Sequence, residues 1–469
     1  MKILLIVPSN EMVTGEKSSI YPIGAGYLGT VLENEGHEIL IKDYSNKFWK
    51  KAETEIIKIL SEFSPEIVGI SCMVTNRVAA FKTIKLIKEK SDAKIIMGGV
   101  HPTLMYEQIL NNFPVDFVVL GEGEKTVLEL VLAIKNNLGE DRLRMINGIA
   151  FKSKNEIIVT KYREKMTNEE LDKLPIMKHE FFKEKINRYG KAYIITSRGC
   201  PFNCSFCSSS QYWGRYRRQR SSESIIKELR YIKSHFPNIK DIYFCEDEFI
   251  VDKKRTIELC KLMIKENILL KWACLGRVTS IDEELIKWMK KAGCYSISFG
   301  IESGSQRILD GMNKQVTVEE ILNACKITKE NGIDLVASLI IGFPGENKES
   351  VKETTKLLKE IGNIGAPGML QVYPGTTVYE NCKKIGVLND DYWLTEGMTP
   401  LYTYEHSRLK LLYWSHKMTF LTMGHSEGYW KAIKNEINRL VAILSIKKLK
   451  KYFRRYLGIV KKTNSKDGR

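Results

Sequence analysis

Short apolar runs alternate with segments of helical periodicity over the first 140 residues. In residues 52–63 and 78–90, apolar positions recur about every 3.6 residues, as on one face of a helix. The apolar runs are predicted strands at 2–7, 38–43, 67–73, 94–99 and 117–122. Strands separated by helices at this spacing predict a doubly wound, Rossmann-like α/β domain over residues 1–140. Ligands of such sheets bind at the carboxyl ends of the strands.

The same alternation restarts near residue 190. Strands are predicted at 193–197, 241–247, 271–277, 295–301, 334–343 and 366–374. Helices are predicted between them, at 222–236, 253–267, 282–291, 305–331 and 347–361. Six such units predict a partial (β/α)6 barrel of the TIM type over residues 189–380, with active residues at the carboxyl ends of its strands.

Two further segments lie outside these patterns. Residues 141–188 form a predicted connector, in which the apolar runs 147–151 and 156–160 flank a polar turn and indicate a hairpin. Residues 381–469 form a predicted helical region with one apolar face on residues 433–444, followed by a basic tail. A helix docked over the barrel is favoured slightly over a membrane anchor.

The net charge of +17 is concentrated at the end of the chain. Residues 446–469 contain ten Lys or Arg and one acid, Asp467, so this segment alone contributes +9. An anionic membrane surface, nucleic acid and plain solvation of a basic terminus are all compatible with such a run. The sequence shows no signal peptide and no apolar span of membrane length, so a cytoplasmic protein, with peripheral membrane contact as an option, is expected.

Three of the ten cysteines lie close together, and their spacing indicates a metal centre. Cys200, Cys204 and Cys207 follow the predicted strand 193–197 with a C-x3-C-x2-C spacing. Three thiolates suit a 4Fe–4S cluster whose fourth iron is open to an external ligand. Zinc normally requires a fourth protein ligand, and the next candidates are the distant His235 and Cys245. The other cysteines are scattered through apolar runs, as expected of reduced thiols.

The cysteine spacing and the turns that follow the predicted strands resemble the radical S-adenosylmethionine (radical SAM) superfamily. The similar segments are Glu246-Asp247-Glu248, Leu275-Gly-Arg277, Ser298-Phe-Gly-Ile-Glu302-Ser303, Gly342-Phe-Pro-Gly345 and Tyr373-Pro-Gly-Thr-Thr377. In this family the open iron of the cluster holds the amine and carboxylate of SAM. The resemblance implies that the SAM-binding residues are Phe206, Glu246, Asp247, Arg277, Glu302, Ser303, Gly342 and Gly345. In the family, the counterparts of Glu302 and Ser303 orient the SAM ribose, and those of Gly342 and Gly345 pack against the adenine.

Individual side chains in these turns suit the roles that the resemblance implies. Arg277 could grip the SAM carboxylate with two hydrogen bonds, or could instead pair with Glu246 or Glu248. Four arginines of the loop after the cysteines could meet an anionic substrate or cobalamin, or could be solvated. They are Arg215, Arg217, Arg218 and Arg220.

The first domain resembles the cobalamin-binding domain that precedes the radical SAM core in one large subfamily. The similar segments are Pro22-Ile-Gly-Ala-Gly-Tyr-Leu28, Gly36-His-Glu38, Gly98-Gly-Val-His101-Pro-Thr103 and Gly121-Glu-Gly-Glu124. The resemblance implies cobalamin contacts from Ser9, Asn10, Ser71, Met73, Thr75, Gly98, Gly99, His101, Gly121, Glu122, Gly123 and Glu124. The D-x-H-x-x-G loop of many cobalamin proteins is absent, because residues 9–19 contain no His, so a corrinoid without a His axial ligand is implied. The alternative is a sheet domain that only docks on the core.

Together the resemblances imply a cobalamin-dependent radical SAM enzyme that methylates an unactivated carbon. One electron from the reduced cluster would cleave SAM to methionine and a 5′-deoxyadenosyl radical, which takes hydrogen from the substrate. A flavodoxin- or ferredoxin-type reductant and a small-molecule or lipid-like substrate are the implied partners. No general acid or base is assigned beyond the cofactors.

Three alternatives were weighed against methylation. A radical cyclase of the anaerobic magnesium-protoporphyrin monomethyl ester cyclase type has the same domain order. The tRNA methylthiotransferases carry three cluster cysteines in the leading domain, whereas only Cys72 precedes residue 200 here. A zinc-stabilised nucleic-acid-binding module would leave the strand-end motifs unexplained, so nucleic acid is a disfavoured partner.

Overall fold

The structure, a computed structural model, describes residues 1–11, 19–362 and 367–423. The amphipathic segment 433–444 and the basic tail 446–469 lie outside the described residues. Within the described part of the chain, no helix is long and apolar enough to cross a membrane.

The first sheet has seven strands in the order β2-β1-β3-β4-β5-β6-β7. Its strands are β1 (Lys2–Val7), β2 (Glu38–Asp43), β3 (Ile67–Ser71), β4 (Lys94–Gly98), β5 (Phe117–Val119), β6 (Ile149–Ser153) and β7 (Glu156–Val159). The helices of this half are α1 (Ile23–Asn34), α2 (Trp49–Phe63), α3 (Arg77–Lys90), α4 (Val100–Asn112), α5 (Glu124–Lys135), α6 (Glu140–Arg144), α7 (Asn168–Lys173) and α8 (Lys183–Tyr189). Strands β1–β5 are parallel. The inner strands β1, β3, β4 and β5 have nearly continuous apolar sequences and are largely buried, as strands covered on both faces require, whereas the edge strand β2 is only partly buried.

The predicted hairpin forms, but it belongs to the first sheet. Strand β6 pairs antiparallel with β5, and β7 pairs antiparallel with β6. The hairpin therefore extends the Rossmann-like sheet at one edge, and the stretch without strands or long helices is shorter than the predicted connector.

The second sheet has six parallel strands in the order β15-β14-β13-β12-β11-β8. Its strands are β8 (Lys191–Ile194), β11 (Asp241–Phe244), β12 (Lys271–Gly276), β13 (Cys294–Glu302), β14 (Asp334–Ile341) and β15 (Gly368–Met369), and a separate short ladder joins β9 (Ser197–Arg198) to β10 (Arg218–Gln219). The helices are α9 (Ser209–Trp213), α10 (Ser222–His235), α11 (Lys253–Lys265), α12 (Glu283–Lys291), α13 (Gln306–Gly311), α14 (Val318–Glu330) and α15 (Lys348–Ile361). This sequential order confirms the partial barrel.

The predicted strands of the second sheet are found, and the largest differences are in its first and last strands. The predicted strand 193–197 is divided between β8 and β9, and the predicted strand 366–374 is reduced to the two residues of β15. The predicted helix 305–331 is interrupted between α13 and α14, where Asn313 and Gln315 adopt positive φ. These differences lie where the chain turns, and tertiary contacts decide turns more than periodicity does.

The last described segment contains α16 (Thr377–Lys384) and α17 (Arg408–Met423). Between them a 3₁₀ turn spans Asp390–Leu394, and residues 395–407 form no helix, in contrast to the continuous helical pattern predicted there. The Leu401 backbone bridges Gln371, so this segment covers the end of the second sheet.

Candidate functional site

The cysteines predicted to hold the cluster lie in one loop directly after β9, and each is partly exposed. They are Cys200, Cys204 and Cys207. The loop is fixed by Ser205, whose amide donates to the Met312 carbonyl at 2.9 Å and whose carbonyl accepts from the Val378 amide at 3.2 Å. The cysteine loop is therefore tied to the end of α13 and the start of α16, at the carboxyl edge of the barrel.

The surroundings of Cys200 and Cys207 favour the protonated thiol when no metal is bound. Burial raises the pKa of Cys200 and of Cys207 to about 11, and the negative charge of Asp247 adds to the effect. In the described residues no three or more His, Cys, Asp or Glu side chains converge on the position of a single ion. In a 4Fe–4S cluster each thiolate binds a different iron, and three cysteines in one loop provide three such thiolates.

Glu246 and Asp247, at the end of β11, have different surroundings. The Glu246 carboxylate accepts the Thr196 amide at 2.8 Å and also the hydroxyls of Thr196 and Ser197. Asp247 is open to solvent at the barrel mouth, yet protein surrounds it closely enough that burial raises its pKa, and the Ser209 hydroxyl donates to it at 2.6 Å. Glu246 thus ties β11 to the start of the cysteine loop, whereas Asp247 is available to a ligand.

Arg277, at the end of β12, is buried and only partly satisfied. Its guanidinium donates to the Gln315 carbonyl at 3.0 Å and lies 3.6 Å from the centre of the Phe202 ring, inside the cysteine loop. Its Nε has no partner among the described residues, and no described carboxylate forms an ion pair with it. The predicted salt bridge to Glu246 or Glu248 is therefore absent from the described residues, and the predicted grip on the SAM carboxylate stays a prediction.

The Glu302-Ser303 pair forms a strained turn at the end of β13. Glu302 has a φ of +63° and accepts from Lys314 Nζ at 3.0 Å. The Ser303 side chain is fully buried, 3.2 Å from the Thr354 hydroxyl, and accepts the Ser305 amide at 3.2 Å. Ser303 therefore holds the turn, and its predicted contact with the SAM ribose stays a prediction.

The two glycines predicted to pack on adenine also contact the C-terminal segment. Gly342 has a φ of +88°, and a Cβ there would lie 2.8 Å from Leu411. Gly345 has a φ of +80°, is exposed, and donates its amide to Glu405 at 2.8 Å. The positive φ favours glycine at both positions. Of the two, Gly345 is the one whose backbone is exposed to a ligand.

The strand ends of the first sheet meet at one edge, as the cobalamin prediction requires. The residues predicted there on the ends of β1 and β3 are Ser9, Asn10, Ser71, Met73 and Thr75. The Glu11 amide donates to the Thr75 carbonyl at 2.8 Å, which joins the two strand ends. The Ser9 hydroxyl is buried without a described partner, and Met73 is 48% exposed.

The end of β4 brings backbone close to backbone. Gly98, Gly99 and His101 follow this strand. Gly99 has a φ of +109°, and a Cβ there would lie 2.5 Å from the Cys72 carbonyl oxygen. The His101 ring is fully buried, and neither ring nitrogen has a described partner. Burial lowers the pKa of His101 to about 3, so the ring is neutral.

The Gly121-Glu122-Gly123-Glu124 turn follows β5 and binds the barrel. Glu122 accepts from Arg198 at 2.7 Å and from Arg218 at 2.6 Å, and Glu124 also pairs with Arg198. Burial alone would raise the pKa of Glu124, but the Arg198 charge outweighs it and the pKa is lowered. The structure thus gives both carboxylates partners other than the predicted cobalamin, and the Gly121 carbonyl accepts from the Tyr212 hydroxyl at 2.8 Å.

Three of the four arginines predicted to meet an anion are bonded within the chain. Arg217 donates to the Ser197 hydroxyl at 3.1 Å, Arg218 pairs with Glu122, and Arg220 pairs with Glu228. Arg215 is exposed.

Sequence analysis missed Arg77, which lies at the centre of a contact between the first domain and the C-terminal segment. Its side chain is fully buried, donates to the Trp393 carbonyl at 3.3 Å, and lies 3.8 Å from Glu11. The guanidinium also lies 5.1 Å from the centre of the Trp393 ring. No sequence signal could have paired residues 316 positions apart.

The two carboxyl edges face each other. The turn after β5 contacts β9 and α9, and a Cβ on Gly375 would lie 3.8 Å from Leu104 of α4. The cysteine loop, the turns predicted to bind SAM and the edge of the first sheet predicted to bind cobalamin therefore surround one region of the molecule.

Comparison with known proteins gives the same assignment to both halves. Residues 194–358 match the radical SAM superfamily, and residues 14–131 match the B12 binding domain. An uncharacterized methyltransferase of Pyrococcus horikoshii is 34% identical over 390 residues, which cover 81% of this chain and 83% of the relative. The chain belongs to the radical SAM superfamily. Within it, the chain has the organisation in which a B12-binding domain precedes the core.

Two other proteins are similar along most of the chain. An anaerobic magnesium-protoporphyrin IX monomethyl ester cyclase of Rubrivivax gelatinosus is 30% identical over 372 residues, 77% of this chain and 66% of the cyclase. The radical SAM methyltransferase TsrM of Kitasatospora setae, solved with cobalamin and a 4Fe–4S cluster, superposes with a TM-score of 0.70 at 20% identity, covering 86% of this chain and 80% of that chain. The second likeness shows the shared fold.

The cofactors of this radical SAM enzyme are a 4Fe–4S cluster, SAM and cobalamin. The donor set fits them: three partly exposed thiols in one loop, a buried arginine whose Nε has no partner among the described residues, and a glycine-rich edge with a buried hydroxyl that likewise has no described partner.

Proposed function

We propose that this protein is a cobalamin-dependent radical SAM methyltransferase that methylates an unactivated carbon of a small molecule. One observation carries the proposal: the edge predicted to bind cobalamin and the edge that carries the cysteine loop face each other and are joined by the Glu122–Arg198 ion pair. A methyl donor and a radical generator must both reach one substrate carbon, and two facing ligand edges allow this.

The cluster, SAM and cobalamin together supply reductive cleavage of SAM and a methyl group when they are bound. The chain holds and orients them. Cys200, Cys204 and Cys207 would hold the cluster, and the unused Nε of Arg277 is a donor for the SAM carboxylate. Asp247, open at the barrel mouth, is a carboxylate acceptor for the SAM amine or ribose hydroxyls.

The cobalamin assignment rests on groups that the chain leaves unused. The Ser9 hydroxyl and the His101 ring nitrogens are buried without described partners, which is costly unless a ligand satisfies them. Gly99 keeps the backbone of the edge free of side-chain atoms. These residues would contact the corrinoid or its side groups, and Asn10, Ser71, Met73 and Thr75 lie on the same edge.

Apolar side chains from both halves exclude water from this region. Val74 of the first domain packs in one cluster with Met312, Phe343 and Trp393, and Phe206 of the cysteine loop packs against it. A dry site protects a carbon radical from side reactions. Phe206, which is predicted to bind SAM, lies in the cysteine loop and packs against these apolar side chains.

A radical cyclase is the second candidate, and the 30% identity to the Rubrivivax gelatinosus cyclase favours it. The two candidates share their cofactors and differ in product. Methylation replaces one substrate hydrogen with a methyl group, so the product gains CH2 and carries the methyl label of SAM, whereas cyclisation transfers no carbon from SAM to the product.

The proposed partners are a small-molecule substrate and an external one-electron reductant of the flavodoxin or ferredoxin type. A lipid-like substrate and contact of the basic tail with an anionic membrane stay predictions, since residues 446–469 are outside the described structure.

The test is anaerobic reconstitution with iron and sulfide, followed by analysis of metal, corrinoid and product. We expect iron, sulfide and corrinoid in the protein, 5′-deoxyadenosine from SAM with a reductant, and label from methyl-deuterated SAM in one component of a small-molecule extract. The Cys200→Ala variant should lose 5′-deoxyadenosine formation, whereas Cys325→Ala, a buried cysteine of α14, should keep it. Turnover of an extract component without label would support the cyclase, and absence of corrinoid would contradict both candidates.

A further inference from the structure

Four charged side chains form a buried cluster between the two halves of the chain. Glu122 and Glu124 come from the turn after β5, and Arg198 and Arg218 come from β9 and β10. Each side chain is only 4–8% exposed. The Trp213 ring lies 5.8 Å from the Arg198 guanidinium carbon and 5.9 Å from that of Arg218, so the charges are enclosed by an aromatic side chain as well.

The arginines of this cluster belong to the same short ladder. Arg198 and Arg218 are directly opposite each other in the antiparallel β9–β10 pair. Lys165 lies close to it, and burial together with the Arg218 charge lowers the pKa of this amine. Two carboxylates therefore face two guanidinium groups and a nearby amine, an arrangement in which loss of either carboxylate leaves buried positive charges uncompensated.

The buried ion cluster of Glu122, Glu124, Arg198 and Arg218 is adjacent to the cysteine loop along the chain. Arg198 is separated from Cys200 only by Gly199. Gly199 has a φ of +89°, and a Cβ there would lie 2.5 Å from the Tyr216 carbonyl oxygen, so this backbone is tightly confined. On the other side of Arg198, Glu246 accepts the hydroxyl of Ser197. A displacement of the Arg198 backbone would therefore move the first cluster cysteine.

On the other side, the carboxylates are part of the first sheet's ligand edge. The Gly121 amide donates to the Thr103 hydroxyl at 3.0 Å, and Thr103 Oγ1 donates to the Gly99 carbonyl at 2.8 Å. The turn that carries Glu122 is thus bonded to the end of β4. The ion cluster connects this edge to the cysteine loop through a short series of buried, hydrogen-bonded groups.

We propose that Glu122 and Glu124 are positioning residues that act through Arg198 and Arg218 to fix the cysteine loop, and hence the iron–sulfur cluster, relative to the corrinoid. The inference rests on the proposed function for the presence of both groups. Multiple buried ion pairs fix direction as well as distance, because each guanidinium presents a planar set of donors. The turn that was predicted to bind cobalamin thereby sets where cobalamin lies relative to the cluster.

The test measures relative position directly. Protein loaded with cob(II)alamin and with the cluster reduced to its paramagnetic state has two unpaired spins, whose coupling in the EPR spectrum depends steeply on their separation. We expect a single well-defined coupling in the parent and a broadened or weakened one in Glu122→Gln and in Glu124→Gln. Glu129→Gln is the matched control, because Glu129 also pairs with an arginine, Arg163 at 2.6 Å, but is 48% exposed. Its spectrum should equal that of the parent.

Conservative variants separate positioning from folding. Glu124→Asp keeps the charge and shortens the side chain by one methylene, so it should fold, retain iron and corrinoid at parental levels, and still change the spin coupling. Methyl transfer to a labelled extract component should fall relative to 5′-deoxyadenosine formation, since a displacement near 1 Å can cost roughly 10²-fold in rate. Parental spin coupling in a folded, loaded Glu122→Gln or Glu124→Asp variant would overturn the inference. A parent protein that binds no corrinoid would instead overturn the proposed function.

Discussion

The two carboxyl edges differ in how far the chain satisfies its own polar groups. At the barrel edge, Glu246 and Glu302 accept hydrogen bonds from neighbouring side chains, and Ser303 is consumed by its own turn. At the edge of the first sheet, the Ser9 hydroxyl and both nitrogens of His101 have no described partner.

This contrast distinguishes strand-end residues that hold a loop in place from those that are available to bind a ligand. A strand-end carboxylate that already accepts two or three bonds holds the loop, whereas a buried donor without a partner marks a position for a cofactor atom. By this criterion the Nε of Arg277 is the barrel-edge donor that we propose for the SAM carboxylate, while Glu246 holds the segment before the cysteines.

The largest expected effect is at the cysteine loop of the barrel edge. Cys204→Ala removes one of three thiolates, so the cluster cannot form with an open iron, and 5′-deoxyadenosine formation should fall to background. Iron and sulfide content should fall with it, while the corrinoid bound to the first edge should stay. Equal loss of corrinoid in this variant would contradict the expectation that the first edge binds corrinoid without the iron–sulfur cluster.

The next effect tests the unused donor of the barrel edge. Arg277→Ala removes a charged donor to the SAM carboxylate, a loss of about 1.5–3 kcal/mol or roughly 10- to 100-fold in the SAM dissociation constant. Equilibrium binding of SAM to the reconstituted protein measures it. Arg277→Lys should not restore affinity, since an ammonium cannot reproduce the planar donor pair stacked on Phe202. Parental affinity in both variants would assign Arg277 to the Phe202 contact alone.

A smaller effect tests the glycine-rich first edge. Gly99→Ala places a Cβ against the Cys72 carbonyl oxygen at a φ of +109°, so about 1–3 kcal/mol of destabilisation and reduced corrinoid content are expected. Thermal unfolding and the visible spectrum of bound corrinoid measure the two. Gly139→Ala is the control, because Gly139 has a φ of −66° and open space around its Cα. A corrinoid content equal to that of the control would show that this backbone does not approach the cofactor.

The smallest effect concerns the turn between β14 and α15, where burial raises the pKa of Glu346 from 4.5 to about 7. The folded state therefore holds this proton more tightly than the unfolded state does. The contribution of the protonated carboxyl to the free energy of unfolding is complete below pH 4.5 and is lost as the pH rises through about 7. Glu346→Gln should remove this loss, about 2 kcal/mol between pH 5 and 7.

Thermal unfolding midpoints measured across that pH range provide the readout. Glu349→Gln, an exposed carboxylate on the same helix, is the control and should follow the parent. If Glu346→Gln and the parent show the same pH dependence, the carboxyl of Glu346 is ionised throughout.

The sequence by itself determined the two sheets and the cysteine loop. Strands β1 and β2 begin and end at the predicted residues. In β1 a continuous apolar run before a helical segment has few alternatives to a buried parallel strand. The cysteine spacing is local, so a C-x3-C-x2-C loop predicts its chemistry without knowledge of the fold.

Only the tertiary structure decided which charged residues of those motifs are free. Glu122 and Glu124 were predicted to contact cobalamin, but Arg198 lies more than seventy positions away in sequence and only folding brings it to them. Arg77 and Trp393 likewise meet across most of the chain. The physical reason is that periodicity and spacing encode local geometry, whereas the pairing of buried charges depends on which distant segments share the same enclosed space.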